Sequence, residues 1–91
     1  MKAVKIKMKH GSFQSNSLLE IDEIYLTGCN NEGYFKKEIL HDYLKDNPGS
    51  IQVNIYPYPD VEPAVSSNNE KYVRSKGNST IRYNLLALPR E

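Results

Sequence analysis

Alternation of apolar and polar side chains near the start of the chain predicts two β-strands. Residues 3–9 alternate strictly between apolar side chains and lysines. The apolar members are Val4, Ile6 and Met8, and the lysines are Lys5, Lys7 and Lys9. In residues 18–27 the apolar positions change parity at Asp22 and Glu23, which predicts a β-bulge that turns the strand over. Residues 10–17, between the strands, are rich in polar side chains and predict a loop.

One amphipathic helix is predicted over residues 35–46. Its apolar side chains recur at helical spacing and fall on one face, while the charged side chains and His41 are expected to face water. The apolar set is Phe35, Ile39, Leu40, Tyr43 and Leu44, and the charged set is Lys36, Lys37, Asp42 and Lys45. The sequence Asn47-Pro48-Gly49 then ends the helix. Residues 28–33, before the helix, are rich in glycine and asparagine and predict a turn.

Two more strands are predicted after the helix, at residues 51–55 and at Tyr72 to Ser75. Between them, residues 56–63 form a run of prolines and tyrosines with restricted, extended backbone, followed by a polar stretch that we expect to be mobile. The strand at residues 51–55 can lie parallel to the second strand through a helical crossover. It can also lie antiparallel to it, with the helix folded across one face of the sheet.

The end of the chain predicts a compact turn that docks on the core. Residues 76–79 have turn chemistry, and Ser79 or Thr80 can cap a single helical turn over residues 81–86. Pro89 forbids continuation of that turn. Leu85, Leu88 and Pro89 are expected to lock the segment in place, with Asn84 capping the turn or touching a ligand.

These elements predict an α+β fold in a single domain that spans residues 1–91. The expected order is β-β-α-β-β, in which one helix packs on a small sheet of about four strands. A C-terminal turn or 3-10 helix completes the domain.

The C-terminal segment resembles the signature of a family of small bacterial and phage proteins known only as a domain of unknown function. The matching residues are Tyr72, Arg74, Thr80, Asn84, Leu85, Leu88 and Pro89. The chain departs from the signature at Asn78 and Tyr83, where the family usually has acidic residues. The resemblance covers residues 19 to 91 and implies a fold, but it implies no activity.

The charge balance gives no general reason to expect a polyanionic partner. Twelve basic and 11 acidic residues leave a formal charge of +1, whereas nucleic-acid binding needs a clustered basic surface. A single cysteine excludes an intramolecular disulfide, and no apolar run has the length of a signal peptide or membrane span. We therefore expect a cytoplasmic protein without a membrane partner.

The sequence also predicts a protein that is not an enzyme and needs no cofactor. It contains no phosphate-loop motif, no metal-spaced histidines and cysteines, and no nucleophile motif. Asp22 and Glu23 are neighbours on a strand and should point to opposite sides. Cys29 lies in a turn, and the sequence places neither His10 nor His41 beside it.

The best candidate for function is a ligand site near the C-terminal turn. Arg74, Lys76, Arg82 and Arg90 cluster there with hydroxyls and amides, the groups that hold phosphates. The predicted ligand-binding residues are Arg74, Lys76, Asn78, Ser79, Thr80 and Arg82, with Tyr56 and Tyr58 as stacking partners. We expect a homo-oligomer that sequesters a phosphorylated, nucleotide-like molecule between subunits, as a phage counter-defence sponge would.

Two alternatives remain open. Exposed tyrosine, arginine and proline side chains also suit a protein-interaction module, such as an inhibitor of a host protein. The lysine face of Lys5, Lys7 and Lys9 with nearby aromatics suits a weak nucleic-acid binder, although the near-neutral charge argues against it. The interpretation that we favour for the lysines is a solvated strand face, or an edge strand that lysines protect against aggregation.

Overall fold

The computed structural model describes residues 1–76 and 85–91. Within them the chain forms an α+β fold with one α-helix and two sheets. The strands are β1 (Lys2–Met8), β2 (Ile21–Thr27), β3 (Gly33–Lys36), β4 (Gln52–Val53), β5 (Val61–Val65) and β6 (Lys71–Ser75). The helix α1 is Lys37–Asp46, and 3-10 turns lie at Leu18–Glu20 and Leu85–Ala87. The predicted fold class is confirmed.

The larger sheet has the strand order β3-β2-β1-β4 and is mixed. Its first three strands are antiparallel neighbours, whereas β4 runs parallel to β1. The strand predicted at residues 51–55 is therefore not a neighbour of β2, because β1 lies between them. The second sheet is the β5-β6 hairpin, and α1 contacts both this hairpin and the larger sheet. The helix is consequently covered on two sides.

The core lies between the larger sheet, the helix and the hairpin. Among residues 1–76 and 85–91, fifteen buried apolar residues build it. They are Ala3, Ile6, Met8, Ile21, Ile24, Leu26, Leu40, Leu44, Ile51, Val53, Val61, Val73, Leu85, Leu86 and Leu88. Leu85 and Leu88 are buried as predicted, and their segment also pairs with β1. The Ile6 amide donates to the Pro89 carbonyl at 2.9 Å, and the Glu91 amide donates to the Ile6 carbonyl at 3.0 Å.

Two bulges determine which face of β1 and β2 is buried. The register passes from Lys7 opposite Glu23 to Met8 opposite Ile21, so that Asp22 is the extra residue, as the change of parity predicted. A second irregularity lies between Ala3 and Lys5, where Val4 is the extra residue. Strict alternation placed Val4 in the core, which is wrong: Val4 is half-buried and Ala3 is fully buried.

Three segments differ from the sequence prediction. Leu18–Glu20 is a 3-10 turn that precedes β2, and Gly33–Lys36 is a strand that precedes the helix. Val61–Val65 is also a strand although it contains Pro63. A proline is tolerated there because each strand of a two-stranded sheet is an edge strand. The turn that follows is closed by hydrogen bonds between Ser66 and Glu70.

The buried face of α1 is rotated from the predicted one. Lys37 and His41 were expected to face water, but they are only 1% and 3% exposed. Conversely, Ile39 and Tyr43 are 58% and 40% exposed. The prediction failed because the helix packs against the β5-β6 hairpin, where its buried polar side chains find polar partners. His41 Nδ1, for example, lies 3.1 Å from the Tyr72 carbonyl oxygen.

Candidate ligand-binding surfaces

The loop between β4 and β5 presents two tyrosine rings to solvent. Tyr56 and Tyr58 are 77% and 46% exposed. Their ring centroids are 6.0 Å apart and the rings are nearly perpendicular, at 82°. The Tyr56–Pro57 peptide is cis, and Tyr58 has a φ of +60°, which is uncommon for an aromatic residue. A hydrogen bond of 2.7 Å from the Tyr58 amide to the Ile55 carbonyl closes the turn. This loop therefore has a defined shape with exposed aromatic area.

A lysine from β1 lies against this loop. The Lys2 ammonium is 4.5 Å from the centroid of the Tyr58 ring, a cation–π contact. Its position follows from the parallel pairing of β1 with β4, which places Lys2 beside Gln52. The loop thus combines an aromatic pair with a positive charge from a distant part of the sequence.

The start of the C-terminal turn lies next to the same loop. The Lys76 amide donates to the Asp60 carbonyl at 2.7 Å, two residues after Tyr58. A groove of about 370 Å³ opens beside this contact. It is lined in part by Lys45, Asp60, Glu62 and Lys76. The hairpin therefore places the Lys76 backbone beside the end of the tyrosine loop, while the described residues that line the groove include neither tyrosine.

The other predicted residues have different outcomes. The Arg74 Nε atom is 3.0 Å from Glu62 Oε1 across the hairpin, so that its charge is already paired. Arg90 is committed to structure, because its guanidinium donates to the carbonyls of Phe13, Ser15 and Leu86. Four of the predicted ligand-binding residues lie outside the described residues. They are Asn78, Ser79, Thr80 and Arg82.

A second surface lies on the outer face of the larger sheet, where the sequence predicted the lysine face but did not identify its tyrosines. We call it the tyrosine–lysine face: Lys5, Lys7, Tyr25 and Tyr34. The two rings meet edge to face, with centroids 5.1 Å apart. The Lys5 ammonium lies 4.7 Å from the Tyr25 ring centroid, and the Lys7 ammonium lies 4.9 Å from that of Tyr34. The sequence signal for an outward-facing Tyr25 was its alternation with the apolar Ile24 and Leu26. Its pairing with Tyr34 could not be predicted, because strand β3 was not predicted.

Glu91 lies on the tyrosine–lysine face. Its carboxylate is 2.7 Å from the Lys5 ammonium, and this contact and the nearby Tyr34 hydroxyl lower the pKa of Glu91. Burial, together with the adjacent Glu91 carboxylate, raises the pKa of Tyr34 to about 12. The Tyr34 hydroxyl is nevertheless buried without a partner in hydrogen-bonding geometry among the described residues. The face therefore holds a carboxylate beside a donor that is not fully used.

Lys9 points away from this face and belongs to a structural cluster. Its ammonium is 2.9 Å from Glu70 Oε2, which also accepts a hydrogen bond of 2.6 Å from Lys37. Lys37 donates as well to the Leu19 carbonyl at 2.5 Å. Hydrogen bonds from the two ammonium groups lower the pKa of Glu70 to about 2. The cluster fastens the turn between β5 and β6 to the start of α1.

An apolar pocket of about 290 Å³ lies beside the exposed side of α1. It is lined in part by Met1, Cys29, Phe35, Ile39 and Tyr43. Among the described residues that line it, neither histidine accompanies Cys29. No group of three or more potential metal ligands occurs in the part of the chain that the structure describes. Among the same residues, no helix is long and apolar enough to cross a membrane.

Comparison with known proteins supports the resemblance to a family of unknown function. No curated protein and no solved structure matches the chain. One family model does match, over residues 2–89, which is nearly the whole chain. The chain therefore belongs to the family described as "Protein of unknown function (DUF3892)".

Proposed function

We propose that the protein binds and sequesters a small phosphorylated ligand with an aromatic ring, of nucleotide type, at the end of the molecule where the β4-β5 loop meets Lys76. The observation that carries this proposal is the contact of Lys2 with the exposed Tyr56–Tyr58 pair, in a loop whose Asp60 carbonyl also accepts a hydrogen bond from the Lys76 amide. Three separate segments of the sequence supply these groups. The proposed role is binding without chemical turnover.

The aromatic pair supplies the affinity for a base. Stacking of a base on an aromatic side chain contributes about 1–3 kcal/mol, and it tolerates any base because each has a π-face. Tyr56 is the more exposed ring, while Tyr58 is held by the closed turn and by Lys2. Rings that are already oriented lose little conformational entropy on binding. A base is therefore expected to stack on this pair.

The cations supply the affinity for a phosphate. Neither Lys2 nor Lys76 forms an ion pair with another described residue, so both charges are available. Arg74 is paired with Glu62, but the two side chains are 53% and 30% exposed. Such exposed pairs contribute little, typically below about 1 kcal/mol, so a phosphate can compete with Glu62 for Arg74.

The proposal includes a homo-oligomer, because this surface is open. A pocket that binds a small molecule well usually buries most of its surface. A loop and a turn on one side of the ligand leave the other side to solvent, and a second copy of the chain would close it. Native mass spectrometry of the gently purified protein tests this directly. We expect a discrete oligomer with additional mass that is lost on denaturation.

Binding itself is tested by isothermal titration with adenosine 5′-monophosphate, with adenosine and ribose 5-phosphate as partial ligands. The complete nucleotide should bind more tightly than either part. Tyr58→Ala and Lys2→Gln should each weaken binding about tenfold or more, in line with one lost stacking or charged contact. Tyr43→Ala and Lys71→Gln are matched controls, because both residues are exposed and lie on or beside α1.

Two outcomes would contradict the proposal. A bare monomer that binds none of the three molecules at millimolar concentration excludes a nucleotide site of this kind and redirects the search to a protein partner. Equal losses in the Tyr58→Ala and Tyr43→Ala proteins place any observed binding somewhere else on the molecule.

A further inference from the structure

We infer that the tyrosine–lysine face is a separate binding surface for single-stranded nucleic acid, and that Glu91 occupies its phosphate position in the free protein. This inference is independent of the proposed nucleotide site. It rests on the arrangement of side chains on the larger sheet and on the position of one carboxylate.

The register of the sheet determines which side chains lie next to each other on this face. Lys5, Tyr25 and Tyr34 are aligned across β1, β2 and β3. Residues on the core side, such as Ile6 and Ile24, are buried, so the alternate residues of these strands project outward. Lys7 lies two residues along β1 from Lys5 and its ammonium covers the Tyr34 ring. Aromatic rings and ammonium groups therefore share one face of the sheet.

This combination of groups matches the chemistry of an unpaired strand. Aromatic side chains on an open sheet stack against bases, and nearby cations hold the backbone phosphates. A duplex conceals its bases, so that the tyrosine rings would have nothing to stack on. The number of available cations is small, because Lys36 on the neighbouring row is paired with Asp22 at 3.3 Å and Glu23 at 4.0 Å. Lys5 and Lys7 are thus the phosphate ligands that we assign.

The Glu91 carboxylate marks where one phosphate sits. It accepts from the Lys5 ammonium at 2.7 Å and lies close to the Tyr34 hydroxyl. That hydroxyl is buried and has no partner in good hydrogen-bonding geometry among residues 1–76 and 85–91. A phosphate oxygen can take the place of the carboxylate and accept from both groups. Glu91 is therefore an internal competitor that a nucleic-acid strand must displace.

The experiment measures binding of a fluorescein-labelled ten-nucleotide oligodeoxythymidine by fluorescence anisotropy, from 20 to 200 mM sodium chloride. Two phosphate contacts predict a slope of about −1.4 in log affinity against log salt concentration. Glu91→Gln should bind about three- to tenfold more tightly than the natural sequence, since the competing charge is lost. Loss of the folded site is expected to weaken this binding, so a gain in affinity makes this variant the most informative one.

Loss-of-function variants complete the test. Lys7→Gln and Tyr25→Leu should each weaken binding at least threefold. Lys71→Gln should have no effect, because that lysine lies on β6, in the other sheet, and pairs with Asp42. Tyr58→Ala should also have no effect, which separates this face from the nucleotide site. Thermal unfolding of each variant verifies that it is folded.

Three results would overturn the inference. The first is no change in anisotropy at 20 mM salt with several hundred micromolar protein. The second is equal weakening by Lys7→Gln and Lys71→Gln, or unchanged affinity in Glu91→Gln. The third is loss of binding in Tyr58→Ala alone, which would assign the oligonucleotide to the nucleotide site and leave the proposed function standing.

Discussion

At the scale of single residues, the least expected feature is a lysine in the interior. Lys37 is 1% exposed, although lysine is among the residue types that are most rarely buried. Its ammonium is satisfied by the Leu19 carbonyl and by Glu70, which is itself 37% exposed at its side chain. The charge is therefore fully paired but remains close to solvent. This arrangement joins residues that are far apart in the sequence.

Replacing Lys37 should destabilise the fold by about 1–3 kcal/mol. Lys37→Met keeps the apolar stem but leaves the Leu19 carbonyl without its donor, and the cost of an unsatisfied buried group is of this size. Lys45→Met, on the same helix but exposed, should change stability by less than about 0.5 kcal/mol. Urea unfolding followed by circular dichroism measures both. Equal effects in the two variants would mean that the buried hydrogen bonds contribute nothing measurable.

At the scale of elements, the ionised carboxylate of Glu70 holds the turn between β5 and β6 against the start of α1. The pKa of Glu70 is about 2, below its ordinary value of 4.5, because of hydrogen bonds from Lys37 and Lys9. A carboxyl group with a lowered folded-state pKa stabilises the fold above its unfolded-state pKa and loses that contribution on protonation. The hairpin and the helix should therefore separate more easily in acid.

We expect the melting temperature to fall as the pH decreases from about 4.5 towards 2. Glu70→Gln should remove part of this pH dependence, so that the melting temperatures of the two proteins converge at low pH. Differential scanning calorimetry at several pH values provides the comparison. Asp42 and Glu91 also have lowered pKa values. Their protonation gives a pH dependence of the melting temperature that the natural protein and Glu70→Gln share. Parallel pH profiles would show that Glu70 is not the responsible group.

Some of the elements could be predicted from the sequence and others could not. Period-two alternation identified β1 and β2, and the change of parity located the bulge at Asp22. Residues 33–36 and 61–65 were missed because one follows a glycine-rich turn directly and the other contains a proline. The helix was found, but its buried face was not, since the choice between Ile39 and His41 is made by tertiary packing. Similarly, Lys2 joins the tyrosine loop only through strand pairing.

At the scale of the whole molecule, the C-terminal residues complete the core. Leu85, Leu86 and Leu88 are buried, and the backbone from Pro89 to Glu91 pairs with β1 beyond the short strand β4. β1 is thus the strand on which the larger sheet and the C-terminal segment depend. Loss of one of these leucines should weaken the entire domain and not only its end.

Leu85→Ala should lower the free energy of unfolding by about 2–5 kcal/mol, the usual cost of removing a large buried side chain. Leu85 is 0% exposed, so the shorter alanine side chain leaves a cavity among its neighbours. Ala87→Ser, in the same 3-10 turn but exposed, is the control and should have little effect. Chemical denaturation monitored by tyrosine fluorescence can follow both proteins. A small loss in Leu85→Ala would show that the segment is only loosely attached.

The pairing of β1 with the C-terminal residues also bears on how the chain is made. Lys5 and Glu91 are in contact although 86 residues separate them in the sequence. A chain still emerging from the ribosome would have to keep the apolar side of β1 uncovered until Leu85 and its neighbours are released. Contacts between such distant residues slow folding, because a long loop must close before any of them forms. Stable folding is therefore expected only after residues 85–91 have left the ribosome, and chaperones that shield exposed apolar strands are expected to bind this chain during that interval.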